Sequence, residues 1–531
     1  MVLATGSMTA VSQTSVKQAD AVCANCHAKL YRGYLATPMA NASGIAMDKL
    51  IPGTLDHAAS GINYRVFKEN GAAWLGYDDT KNAPLQGRRK LEYFLGSGHL
   101  GVTYLYSVNN YLLESPVAYY AATNHYDMKP GLEDLHEMPP ALPMEADCLR
   151  CHMSGVQHSV PGTMNRYAGL PFLHGGITCE GCHGDTRAHV ASGGKAAVVN
   201  PAKLDPERRD SVCISCHLEG DVSVEKNGRS AVDFKPGDSI SDYLSYFVYA
   251  SAGATARGVS EVEQFSTSMC RRTSGDKMSC TSCHDLHYSP PASERVAFYR
   301  GKCLTCHSAP NFAAKHHPEN PDCTSCHMPR STAQNIPHVA WTDHRILRQP
   351  GAESPADQPV RGDSLTPIFS PSATSRDLAL AYYSAAVQGK PEVRERAYTL
   401  LTQARQANPD DLQVLGSLGI LTETGGDYSQ AEAIFREMLK LDPANVTAAS
   451  NLSVLLARTN DLQGALALLR PAFNRNEDVI GLAKDLTAVE CLLGDGAAAR
   501  ATLETTLVYS PGSKDVLDRL QQTASCSTGK K

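Results

Sequence analysis

CTSCHDLH, residues 280–287, places two thiols three positions apart and an imidazole directly after the second. Cys-x-x-Cys-His is the attachment sequence for covalent c-type haem. The thiols form thioethers with the vinyl groups, and the adjoining imidazole becomes the fifth ligand of the iron. The pattern occurs seven times before residue 330, as Cys23-Cys26-His27, Cys148-Cys151-His152, Cys179-Cys182-His183, Cys213-Cys216-His217, Cys280-Cys283-His284, Cys303-Cys306-His307 and Cys323-Cys326-His327, numbered here as motifs 1 to 7. With 19 histidines in 531 residues, chance would put one after all seven pairs with a probability of about 10⁻¹⁰, so the pattern has one chemical cause and implies seven covalent haem c groups.

Pairs of Cys-x-x-Cys also build zinc ribbons, but tetrahedral thiolate sites do not call for a trailing histidine. Fourteen of the 17 cysteines fall in the motifs. Cys270, Cys491 and Cys526 have no partner at an obvious spacing and are expected to be buried or free thiols. A chain of 531 residues exceeds a single core and predicts two to four domains. Its 42% hydrophobic and 20% charged content is that of an ordinary soluble protein. The formal net charge of −6, without any basic run, argues against nucleic acid as a partner. No apolar stretch of about 18 residues suggests a membrane span.

Covalent haem attachment takes place outside the bacterial cytoplasmic membrane, so the expected location is periplasmic or extracellular. Residues 1–22 show no apolar export signal and are expected to be an N-terminal tail left after the signal has been removed.

Composition divides the rest. Residues 23–348 are rich in Cys and His and read as a multihaem cytochrome c domain, with short helices and loops around the haems. Within it, segments such as INYRVF, AAWLGY and TYLYSV, separated by Asn70-Gly71 and Asn109-Asn110, predict a small antiparallel β insert over about 62–120. Residues 349–375, rich in Pro, Gly and Ser, read as a linker. After it, Ala397, Ala431, Ala465 and Ala499 recur every 34 residues, the tetratricopeptide (TPR) period. Ala385, Gly419, Ser453 and Thr487 hold the small position of the first helix, and Leu401, Phe435, Leu469 and Leu503 the large position of the second. The fold class is therefore expected to be mainly α: a haem domain followed by a solenoid of four TPR repeats over 376–512, with a capping helix and tail at 513–531.

The sixth ligand of each iron sets its role. A second histidine closes the iron for electron transfer, whereas an open position admits substrate. Twelve histidines lie outside the motifs. His189, His287, His316 and His317 lie beside motif-bearing loops and are favoured as distal ligands. His338 and His344 flank Trp341 after the last motif, His57 and His99 lie by the β insert, and His174 precedes Cys179. His125, His136 and His158 read as ordinary solvated histidines. Met39 is the best-placed methionine alternative.

The chain resembles bacterial multihaem cytochromes related to the cytochrome c-552/c-554 group, fused to TPR repeats. The resemblance is carried by TPMANASG at 37–44, GITCEGCHG at 176–184 with His189 downstream, VNPAKLDPERRDSVCISCH at 199–217, CTSCHDLH at 280–287 and DCTSCHMPR with TDHRI at 322–346. It implies distal ligation by His57, His189, His287, His338 and His344. The chain departs from the group at Leu286, where proline is frequent, and at Gly184-Asp185-Thr186, where Gly-Pro-Gly is; neither touches a ligand position. The expected function is electron carriage through seven bis-histidine haems, with the repeats docking a redox protein or a further copy of the chain. The alternative is an oxidoreductase of a small nitrogen or sulfur compound at one open haem. The absence of a Cys-x-x-Cys-Lys motif and the supply of histidines weigh against it.

Overall fold

The computed structural model describes residues 13–80, 85–249, 258–316, 318–333, 336, 338–348 and 364–527. The N-terminal half holds far more strand than a small insert. Four strands, Gly53–His57, Ile62–Glu69, Ala72–Asp79 and Gln86–Leu91, form an antiparallel meander in chain order. Its tightest hairpin turns at Asn70 (φ 49°) and Gly71 (φ 76°), the left-handed pair a two-residue turn requires. A seven-stranded sheet follows, built on Ser43–Ile45, Tyr93–Leu95, Gly101–Val108, Val117–Tyr120 and His125–Met128, with Tyr111–Glu114 and Leu142–Pro143 added beside them. Alternate residues Ile62, Tyr64 and Val66 of one sheet and Val102, Tyr104 and Tyr106 of the other share one buried cluster. The β region thus begins near residue 43 and runs past 120. Edge segments such as GTLDH and QGRRKL lack the apolar alternation that signals a strand, so pairing decides them.

The expected tail is ordered over its described part: Thr14–Ser15 pairs in parallel with the strand Phe172–Gly175, and Val16–Ala19 is helical. Among the described residues, no helix is long and apolar enough to cross a membrane.

The repeats form as their period dictates. Helices pair as Ser375–Val387 with Arg394–Ala407, Leu412–Thr424 with Tyr428–Leu441, Val446–Arg458 with Leu462–Arg475, and Ile480–Leu492 with Gly496–Tyr509, before Lys514–Gln522. Ala397, Ala431, Ala465 and Ala499 are all 0% exposed. A Cβ at Gly419 would come within 2.6 Å of the Phe435 ring, which is why that position stays small. Asp427, Asp461 and Asp495 cap the last three second helices. Cys491 and Cys526 form a disulfide, correcting the expectation of unpaired thiols, because the final turn folds back onto the last repeat.

The repeats are docked at both ends. Part of the expected linker, Leu365–Ile368, is a strand on Leu244–Tyr249, and Val222, Val224, Phe247 and Tyr249 share the core of the first repeat. Lys226 Nζ lies 2.7 Å from the buried carboxylate of Asp377. At the other end Tyr509 packs edge-on against Tyr111 at 5.2 Å, and Tyr111 donates to the Arg475 carbonyl at 2.6 Å. Residues 349–363 of the linker lie outside the described residues.

Candidate haem-binding sites

Three of the motifs close as a helical turn from the first cysteine to the histidine. His183 N–H donates to the Cys179 carbonyl at 2.9 Å, His284 to Cys280 at 2.9 Å and His307 to Cys303 at 3.0 Å. Offsets of three and four residues then set both thiols and the imidazole on one side of the turn, as a ring held at its edge and its centre requires.

The motif imidazoles meet others. His27 faces His189 with ring centres 6.4 Å apart and planes within 15°, His183 faces His287 at 6.1 Å and 15°, His284 faces His344 at 6.3 Å and 28°, and His327 faces His316 at 5.8 Å and 20°. Two imidazoles on opposite sides of one metal, each bound at about 2.0 Å with about 1.1 Å more to the ring centre, stand about 6.2 Å apart. The pairs have that separation. Backbone carbonyls also orient the rings: Nδ1 of His183 donates to Val199, of His189 to Ala196 and of His344 to Thr342, each at 2.8 Å, and of His327 to Leu347 at 2.6 Å. With Nδ1 occupied, Nε2 is left as the ligating atom. Nothing in the residue order signalled these partners, since a carbonyl carries no residue identity.

Other candidates are placed elsewhere. His57 is a correction: both ring nitrogens are bonded inside the β region, Nδ1 with Ser60 Oγ at 2.7 Å and Nε2 with the Glu133 carbonyl at 2.8 Å, so neither is free for a metal. His174, on a strand, lies 2.7 Å from Thr14 Oγ1. His338 binds Asp127 through Nε2 at 2.7 Å and packs on Tyr120, and His99 is exposed on a loop. His158 pairs with Asp233 on the surface. Met39 packs against the small cluster of Val16, Tyr34 and Ala40. His317 lies outside the described residues.

Cysteines of different motifs adjoin in space. Cys23 lies by Cys179, Cys151 by Cys216, Cys213 by Cys280 and Cys303 by Cys323. A cavity of about 920 Å³ opens among motifs 2 to 5, lined by Cys151, Cys182, Cys216, Cys280, His284 and His344 among others. Large apolar side chains stand exposed beside the motifs: Val22 and Leu30 around motif 1, Val190 next to His189, Met269 and Tyr288 around motif 5. His152 Nδ1 is buried without a hydrogen-bond partner. Paired imidazoles, thiols bordering open space, uncovered apolar groups and an orphaned ring nitrogen fit a large flat apolar metal complex.

Two backbone devices hold this geometry. Asp20 accepts the Cys179 N–H at 2.9 Å and Tyr34 donates to the Ile177 carbonyl at 2.5 Å, tying the helix Ala21–Tyr34 to motif 3. Gly33 meets the His287 carbonyl, 2.5 Å from where its Cβ would be, so only glycine allows that approach. Burial sets the charge. It pushes His284 down to about 4, with His344 adding to the effect, and lowers His152 and His287 as well. All three are thereby held as the neutral imidazole a metal requires. Burial raises the Asp20 carboxyl, against the opposing Cys179 N–H.

Residues 118–184, which include motifs 2 and 3, match the family described as Cytochrome c554 and c-prime. Residues 424–489 match the Tetratricopeptide repeat family. The C-terminal array is a TPR array. Among solved structures, MamA of strain AMB-1 aligns at 20% identity over 29% of this chain and 88% of its own, with a TM-score of 0.26. A thermophilic TPR protein of Thermus thermophilus aligns at 22% identity over 27% and 80%, with a TM-score of 0.24. No curated protein matches the chain.

Proposed function

We propose that the chain is an exported multihaem c-type cytochrome that carries electrons through seven covalently attached haems. The observation that carries this is the set of four facing imidazole pairs with ring centres 5.8 to 6.4 Å apart. Haem iron held between two imidazoles supplies one-electron chemistry with no open position for substrate. The residues do the rest. The fourteen motif cysteines would fix each group covalently, and His27, His183, His284 and His327 would ligate one side while His189, His287, His344 and His316 close the other.

The pairing interlocks the motifs. A segment after motif 3 serves motif 1, one after motif 5 serves motif 3, and one after motif 7 serves motif 5, so neighbouring sites are held at short range. The disulfide Cys491–Cys526 supports an oxidising location outside the cytoplasm. Redox proteins or further copies of the chain are the proposed partners, reached by surfaces of the repeats not occupied by the haem region.

A second reading rests on one observation. Among the described residues no ring contact joins His152, His217 or His307 to another imidazole, and His307 stacks on Phe312 at 5.1 Å. An open iron at one of these would suit reduction or oxidation of a small nitrogen or sulfur compound. A pyridine haemochrome assay and the spin state of the purified protein test both readings. About seven haem equivalents, all low-spin, are expected for the carrier; a high-spin signal that binds nitrite or hydroxylamine would favour the enzyme, and a colourless protein matured in an exporting host would end both.

A further inference from the structure

Motifs 2 and 4 meet across one partly buried cation. Arg150 occupies the position before the second cysteine of Cys148-Leu149-Arg150-Cys151-His152, where the haem motif accepts any residue. Its side chain is 15% exposed; Nε donates to Asp147 Oδ1 at 2.5 Å, and Nη1 donates to the Ser215 carbonyl. Ser215 holds the same position in motif 4, in the last turn of the helix Pro206–His217. There the backbone carbonyls lack helical partners and the helix dipole is negative, so a guanidinium is a matched cap. The charge acts on both second cysteines, Cys151 and Cys216, which adjoin each other. Tyr246, 1% exposed, stands near the same guanidinium and cysteines, so the surroundings are largely closed to solvent.

The counter-ion does not cancel this charge. Asp147 is 54% exposed and Arg150 15%, so water weakens the field of the carboxylate without abolishing it, while the guanidinium keeps more of its field inside the protein. A one-electron donor protein that reduces the array lowers the positive charge at the acceptor site by one. A cation fixed beside that site in a poorly polarisable interior favours the reduced form.

We propose that Arg150 tunes motifs 2 and 4 together, raising their reduction potentials so that this pair retains the electron while the rest of the array is oxidised. The proposal rests on the electron-carrier function above. Redox titration of the intact holoprotein, followed through its visible bands, tests it. Arg150→Gln should move two midpoint potentials down and leave the others in place. Arg150→Lys, which keeps the charge and loses the planar clamp on Ser215, should stay near the parent. Asp147→Asn, which removes only the screened counter-charge, should move the same two potentials up. Arg187→Gln, 88% exposed beside motif 3, should move none.

Equal downward shifts in the Lys and Gln variants would overturn the proposal, because geometry and not charge would then be at work. Unchanged potentials in the Gln and Asn variants would overturn it too. Should Arg150 variants fail to mature, Asp147→Asn decides alone: an upward shift supports the proposal and no shift refutes it. Failure of the carrier function is a different result, a parent protein without haem or without reversible one-electron waves.

Discussion

The repeat array and the motif-bearing region solve the problem of a core in opposite ways. Each of the eight repeat helices from Ser375 to Tyr509 buries between three and seven side chains. The helix Ala292–Leu304, 13 residues long and carrying the first cysteine of motif 6, buries none, and neither do the short helices Glu180–His183 and Cys323–His327. Helices of this kind cannot offset their conformational entropy by packing on polypeptide alone. One region is held by side chains along its whole length; the other adds to its side-chain clusters several motif-bearing helices that the proposed haems would cover.

The largest effect that could break this contrast is loss of the cofactor. Produced without haem attachment, the protein should remain protected from hydrogen exchange over 376–512 and over 222–249, which packs on the first repeat, and lose protection over about 179–204 and 269–348. Equal protection in both would show the motif region to have a polypeptide core after all.

Truncation inside the array comes next. Phe435→Ala empties a site that is 0% exposed and should cost about 3–5 kcal/mol in denaturant titration, with the haem bands unchanged up to the unfolding transition.

The interface sharpens the comparison, since it decides whether the two regions unfold together. Lys226→Met leaves the buried carboxylate of Asp377 with Arg376, Ser245 and the Thr374 N–H as its partners and should cost about 1–2 kcal/mol, separating one unfolding transition into two. For Asp377, burial would raise the carboxyl, but the Lys226 ammonium and the Thr374 N–H overcome it and hold the group below its usual range. A carboxyl lowered in the folded state stabilises fully above its unfolded value of about 4 and loses that contribution as pH falls through the lowered value. Docking should therefore weaken below about pH 4 in the parent, and the Lys226→Met variant should show less of that dependence.

Smallest in stability, and most local, is His344→Ala. One of the low-spin haems should turn high-spin in the electron paramagnetic resonance spectrum without loss of haem, because Cys280 and Cys283 keep their bonds. An entirely low-spin spectrum would remove His344 from opposite His284.

The motif and the repeat were legible because their chemistry is local. Two thiols and an imidazole within five residues need no distant partner, and a 34-residue period states which side chains share a groove. His189, His287 and His316 were singled out by proximity to motifs, and His344 by its place on the segment after the last motif; each now faces a motif imidazole. His57 looked equivalent and is not, since Ser60 and the Glu133 carbonyl take both its nitrogens. The extent of the strands was not legible for a related reason: QGRRKL has one apolar side chain, Leu91, and becomes a strand only by pairing with Ala72–Asp79. Cys491 and Cys526 are 35 positions apart, and nothing between them announces a bond.

The amino-acid order by itself determined that this protein holds seven Cys-x-x-Cys-His sites and four helical repeats, because covalent attachment and periodic packing are written in short-range spacing. Tertiary structure alone decided which imidazole faces which motif, that Arg150 joins motifs 2 and 4, and that both ends of the repeat array rest on the rest of the chain. Those contacts depend on residues brought together across hundreds of positions, where distance in space has no counterpart in distance along the chain.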